Sequence, residues 1–149
     1  MSGETGEGTP RNSEPTQRNG ARPTQVTILV VDDDKAVRNL LREALSLHGY
    51  RVIATATAQE AEAALLQPGS AAIGLVITDV QLTADPRARE GYALYARWAT
   101  AQPALPFLLI SGDPSSQALP AVRTGAVRFL AKPFAIGVLL AAVRALLGG

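Results

Sequence analysis

Val26-Thr-Ile-Leu-Val-Val-Asp-Asp-Asp34 decides how this chain is read. Apolar and β-branched residues run without a helical period and stop at three consecutive carboxylates. A short uninterrupted run of this kind suits a strand buried on both faces. Directly after it, Val37, Leu40, Leu41, Ala44 and Leu45 recur at helical spacing. They end at His48-Gly49, where glycine suits a helix C-terminus and the histidine a cap or dipole role. A buried strand, an acidic junction and an amphipathic helix make one βα unit.

The unit recurs along the chain. Arg51–Thr55 is a second, weaker strand. Thr57 and Glu60 have capping-box spacing and open a helix through Leu66, with Pro68-Gly69 as its breaker. Ile73–Thr78 is the third strand and leads into Asp79. The polar stretch Gln81–Glu90 reads as a loop, with Arg87, Arg89 and Glu90 solvated or open to a partner contact. Gly91–Ala101 follows as a helix, and Tyr92, Tyr95 and Trp98 at helical spacing are packing residues. Pro103 and Pro106 bracket a connection into Phe107–Ser111. A short helix falls within Ser115–Thr124 and ends at Gly125. Ala126–Leu130 is the fifth strand, and Ile136, Leu139, Leu140, Val143 and Leu147 mark the last helix. Five βα units in a row predict a doubly wound α/β fold, a parallel sheet with helices on both faces. In such folds ligands bind beyond the carboxyl ends of the strands.

Composition narrows the function. A chain of 149 residues, 47% hydrophobic and 18% charged, suits one domain with a full core. The net charge of +1 and the lack of a basic stripe give nucleic-acid binding no electrostatic support. The absence of cysteine excludes disulfides, zinc thiolates and thiol catalysis. A single histidine, His48, excludes a multi-histidine metal site. Residues 1–25 are rich in Gly, Pro, Ser, Thr, Asn and Gln, so a disordered polar tail is expected ahead of a domain spanning 26–149. The start has no apolar h-region, and Phe134–Leu147 carries Arg144 and is too short to span a bilayer. A cytoplasmic protein without membrane contact is the resulting expectation.

The chemistry lies at the strand ends. In a parallel sheet Asp32, Asp33, Asp79, Ser111 and Lys132 share one edge. Clustered carboxylates repel in a partly desolvated crevice, and a hard divalent cation relieves that repulsion while keeping positions for a phosphate. A carboxylate such as Asp79 can attack phosphorus and form an acyl phosphate. Ser111-Gly112 offers a hydroxyl and an open backbone N–H to a phosphoryl oxygen. Lys132 ends an apolar strand, where an unpaired ammonium is costly, and a cis bond to Pro133 would fix its direction. Each residue alone also fits an ordinary role: an acidic helix cap, which suits Asp34, or a strand-ending turn. Their ordered appearance at four strand ends is the stronger signal.

On these residues the chain resembles the receiver domain of two-component response regulators. The resemblance runs from Val26 to Leu147. It is carried by Ile-Leu-Val-Val-Asp-Asp (28–33), Leu-Val-Ile-Thr-Asp (75–79), Leu-Leu-Ile-Ser-Gly (108–112) and Gly-Ala-Val-Arg-Phe-Leu-Ala-Lys-Pro-Phe (125–134). It implies a flavodoxin-like strand order 2-1-3-4-5 and phosphoryl transfer from a sensor histidine kinase or a histidine phosphotransfer protein. Asp79 is then the phosphoacceptor. Asp32, Asp33, Asp79 and the Gln81 backbone carbonyl are ligands of Mg2+ (or Mn2+). Lys132 neutralises the phosphoryl group, Gly112 binds it through its backbone, and Ser111 and Phe129 form the switch. Output through an unidentified downstream protein or a phosphorylation-dependent homodimer is implied, and no turnover enzyme.

Three features depart from the family pattern. Leu82-Thr83 stands where a Met-Pro pair is usual, and the loop to Gly91 is longer. Pro120 falls inside the usual fourth helix, where proline costs about 3 kcal/mol, so that helix should be short or start there. Ala135 replaces the usual cap of the last helix. Two rivals are a phosphorylation-independent scaffold and a haloacid-dehalogenase-like phosphatase. The complete acid, hydroxyl and lysine set opposes the first. Gln81, where the second family needs an acid, opposes the second.

Overall fold

The computed structural model describes residues 25–67, 69, 73–85 and 87–148. The tail expected over 1–25, apart from Gln25, lies outside these, as do Pro68 and Pro86.

Five strands alternate with helices: β1 (Thr27–Val31), α1 (Lys35–Leu47), β2 (Arg51–Thr55), α2 (Ala58–Leu66), β3 (Ile73–Asp79), α3 (Glu90–Ala101), β4 (Phe107–Ser111), α4 (Pro120–Arg123), β5 (Arg128–Ala131) and α5 (Ile136–Leu146). All strand pairs are parallel, and the sheet order is β2-β1-β3-β4-β5, the 2-1-3-4-5 order that the resemblance implies.

Every residue of β1 and β4 is buried, which is why those segments read as unbroken apolar runs rather than alternating ones. Alternation returns in the packing. Leu29, Val31, Val76 and Leu109 face Ala61, Leu65, Leu94 and Trp98. Ile28, Val30, Leu75, Ile77, Leu108 and Ile110 face Leu41, Leu45, Leu139, Leu140 and Val143. The sheet therefore carries a core on each face. The edge strand β2 is less buried, which accounts for its weaker pattern.

Helix ends follow local chemistry. The Asp34 carboxylate accepts from the Ala36 and Val37 N–H groups and caps α1. His48 is the C-cap of α1, with Nδ1 3.0 Å from the Ala44 carbonyl oxygen. Thr57 Oγ1 accepts from the Glu60 N–H at 3.1 Å, while the Glu60 carboxylate accepts from Ala56 N–H at 2.8 Å instead of from Thr57. Glu62 accepts from both Arg97 and the Trp98 indole N–H, tying α2 to α3.

The expected fourth helix is divided. Pro114–Ala118 forms a 3-10 turn, and α4 starts at Pro120 in its first turn, where a missing N–H costs no helical bond. Strand β5 begins two residues after the expected Ala126. Gly125 has φ +79°, and the Val127 N–H returns to the Ala121 carbonyl, so both residues still belong to the turn. Ala135 supplies no side-chain cap to α5.

Candidate functional site

The register sets the site. Val31 pairs with Thr55 on one side and Thr78 on the other, Asp79 pairs with Ile110, and Ser111 with Ala131. The residues that follow these pairs therefore emerge side by side at the carboxyl edge.

Asp32 follows β1 and is fully buried. Its Oδ1 accepts from the Asp34 N–H at 2.9 Å, and its backbone carbonyl accepts from Arg38 Nη1 at 2.8 Å. Asp79 ends β3, is 8% exposed, and accepts the Gln81 N–H on Oδ1 at 3.0 Å. Lys132 Nζ reaches across β4, donating to Asp79 Oδ2 at 2.6 Å and to Asp32 Oδ2 at 3.0 Å. Asp33 is exposed, yet one carboxylate oxygen each from Asp32, Asp33 and Asp79 lie within 4.8 Å of one another.

Asp79 and Asp32 thus share a single ammonium, with the Asp33 carboxylate alongside. Burial pushes the Asp79 carboxyl above its ordinary value, against the pull of Lys132 and the Gln81 N–H. Burial pulls the Lys132 ammonium down, but hydrogen bonds to Asp79 and Asp32 outweigh it and hold its pKa above the usual lysine value. The donor set is all oxygen, partly dehydrated and short of positive charge. It fits a hard divalent cation and lacks the imidazole or thiolate ligands that softer metals prefer.

Ser111 ends β4 and is buried. Its Oγ accepts from the Asp113 N–H at 3.0 Å and from the Ser116 hydroxyl at 2.8 Å. Ser116, which sequence reading passed over, is equally buried. Only a hydroxyl one turn beyond Ser111 signalled it, and a serine in a short polar helix is ordinary. Gly112 is exposed beside the Lys132 stem, and the Lys132 N–H donates to the Ser111 carbonyl at 2.9 Å. The Lys132–Pro133 peptide bond is cis. Phe129 pairs with Leu109 and is half-buried against the core on the α2–α3 side.

The Gln81–Glu90 loop corrects one expectation. Glu90 is no solvated side chain: its carboxylate accepts from the Leu82 N–H at 2.9 Å and from the Thr83 hydroxyl. Burial raises its pKa, but these donors outweigh burial and hold the carboxyl below its usual range. Glu90 stands at the end of the loop and gives its Leu82 N–H an acceptor. Arg89 precedes α3 in the left-handed region at φ 44°.

Fold and site together define a class: a doubly wound, flavodoxin-like sheet with an aspartate cluster and one lysine at its carboxyl edge. The chain belongs to the response regulator receiver domain family, whose pattern matches residues 28–144. It is similar to the transcriptional regulatory protein PmrA of Pectobacterium parmentieri, 39% identical over 121 residues covering 80% of this chain and 51% of that protein. The chain therefore spans about half the length of this curated relative. It also resembles the receiver domain of NtrX from Brucella abortus, with a TM-score of 0.68 and 33% identity, covering 80% of this chain and 97% of that one. A CheY-like receiver domain protein from Methanospirillum hungatei matches with a TM-score of 0.71 and 25% identity, over 83% and 94% of the two chains. Among the described residues no helix is long and apolar enough to cross a membrane.

Proposed function

We propose that this receiver domain accepts a phosphoryl group on Asp79 from a phosphohistidine, carried by a sensor histidine kinase or a histidine phosphotransfer protein. The observation that carries this reading is the Lys132 ammonium bridging Asp79 Oδ2 and Asp32 Oδ2 beside the third carboxylate, Asp33. An Asp79 oxygen forms the new O–P bond as the P–N bond breaks. The imidazole leaves with the electron pair and takes a proton from solvent.

Lys132 already lies against the attacking carboxylate and would follow the charge onto a phosphoryl oxygen. The Ser111 hydroxyl and the Gly112 N–H donate to another. Asp32, Asp33, Asp79 and the Gln81 backbone carbonyl would hold Mg2+ (or Mn2+), which supplies further positive charge at the phosphoryl oxygens. With Ser111 drawn towards the phosphate, Phe129 turns inward and alters the surface around β5. That surface binds a downstream protein in the cytoplasm, or a second copy of the chain, rather than nucleic acid or lipid. Water later cleaves the acyl phosphate and restores Asp79, so the domain is a phosphoryl carrier and not a turnover enzyme.

Intact-mass measurement with acetyl phosphate and Mg2+ tests the reading. The expected result is one added phosphoryl group on the wild type and none on Asp79→Asn. No gain, or a gain unchanged by the substitution, defeats it.

A further inference from the structure

We propose that Ser116 is a positioning residue for the switch hydroxyl, fixing which way Ser111 donates. This rests on Asp79 as the phosphoacceptor and adds a residue to that chemistry.

The argument is one of hydrogen-bond valence. A serine hydroxyl has two acceptor lone pairs and one proton. On Ser111 the Asp113 N–H, which can only donate, occupies one lone pair at 3.0 Å. The Ser116 hydroxyl donates into the other at 2.8 Å. A hydroxyl pair can run in either direction, but a phosphoryl oxygen can only accept. With Ser116 donating, both Ser111 lone pairs are filled and the Ser111 proton is the part left for that acceptor. A phosphoryl oxygen on Asp79, on the adjacent strand, is such an acceptor. A hydroxyl that already accepts hydrogen bonds is also the better donor, because chained hydrogen bonds polarise one another where the local dielectric is low.

Ser116 is placed to do this and little else. It is 2% exposed, as is Ser111, so water does not readily replace either partner. It sits in the Pro114–Ala118 turn, which is pinned at its start by the Asp113 carboxylate on the Ser115 N–H. At its end the Ser116 carbonyl accepts from the N–H of buried Leu119, directly before α4. The hydroxyl pair thus joins the phosphorylation site to the segment whose shape Pro120 changed. A shift of Ser111 towards the phosphate pulls on Ser116 and so on the start of α4.

A double-mutant cycle read by phosphorylation rate tests this. Phosphoryl gain from acetyl phosphate with Mg2+ is followed by intact mass in wild type, Ser116→Ala, Ser111→Ala and the double variant. Ser116→Ala should slow the gain about threefold to tenfold, the equivalent of one net hydrogen bond. In the Ser111→Ala background the same substitution should change the rate by less than about twofold, because its target is gone. A purely structural role for Ser116 would cost the same in both backgrounds, and that result overturns the proposal, as does an unchanged rate for Ser116→Ala alone. Absence of phosphoryl gain by the wild type would instead overturn the phosphoacceptor reading, and this inference with it.

Discussion

A β-carbon added to Gly91 would overlap the carbonyl oxygen of Asp79 and lie 2.8 Å from the Thr78 hydroxyl. The first turn of α3 is therefore pressed against the strand end that carries the site. The Gly91 N–H completes the contact by donating to the Val80 carbonyl at 2.9 Å. Backbone, not a flexible side chain, is what a methyl group would meet. Gly91→Ala should cost more than about 3 kcal/mol in urea denaturation, within the range of severe overpacking. A cost below about 1 kcal/mol would mean that α3 is free to move away from β3.

Lys132 is the only cation that Asp32 and Asp79 share among the described residues. Removing it leaves two buried carboxylates facing each other. A fully buried pair broken in this way loses about 3–5 kcal/mol, and the partial exposure of Lys132 reduces this to roughly 1–3 kcal/mol. Lys132→Ala should therefore lower stability in chelator. Added Mg2+ should restore more of it than in the wild type, because the ion and the ammonium answer the same negative charge. Thermal melts with and without Mg2+ check both parts, and an equal Mg2+ effect in the two proteins would contradict the shared-charge account.

How much of this was legible in the sequence depends on the kind of signal. Buried parallel strands write themselves as unbroken apolar runs, so β1, β3 and β4 and the residues at their ends were readable. So was the break imposed by Pro120, since the missing N–H and fixed φ of proline act locally. Residues whose role depends on a partner far along the chain were not. Glu90 looked like one more loop charge, because its partners Leu82 and Thr83 are joined to it only by the fold of the loop. Ser116 looked like one more polar residue, because hydroxyl pairing leaves no periodic trace. Arg38 drew no notice in the sequence, although its guanidinium donates to the backbone carbonyl of Asp32.

Glu90 gives the long loop a test of its own. Its two carboxylate oxygens hold the Leu82 N–H and the Thr83 hydroxyl, while Asp85 accepts from the Arg87 N–H at 3.0 Å. Glu90→Ala removes the two longer-range ties and leaves the Asp85 contact. The global cost should be small, about 1 kcal/mol, as the site is partly exposed. Local opening should rise far more than global unfolding. Limited trypsin digestion should cut after Arg87 several times faster in Glu90→Ala, with the thermal midpoint nearly unchanged. Equal cleavage rates would show that the loop is held by other contacts.

Asp79 sets a pH dependence of stability whose sign follows from its raised pKa. The folded protein holds the Asp79 proton more tightly than the unfolded chain does, because burial disfavours the carboxylate. Between the ordinary aspartate pKa and the raised folded value, the folded state binds more protons, so stability falls as pH rises. The contribution is fully present below the ordinary value and is lost as pH passes the folded one. Asp79→Asn resembles the protonated side chain at every pH and cannot lose it. In chelator the two proteins should therefore melt at similar temperatures near the acid end of this window. The asparagine variant should become the more stable of the two as pH rises towards neutral. Carboxylates remote from Asp79 and Lys132 titrate alike in both proteins and cancel in the difference. Mg2+ at neutral pH should narrow the gap by stabilising the wild-type carboxylate. A gap that shrinks with rising pH in chelator would reverse the sign and show that Lys132, not burial, governs the Asp79 charge.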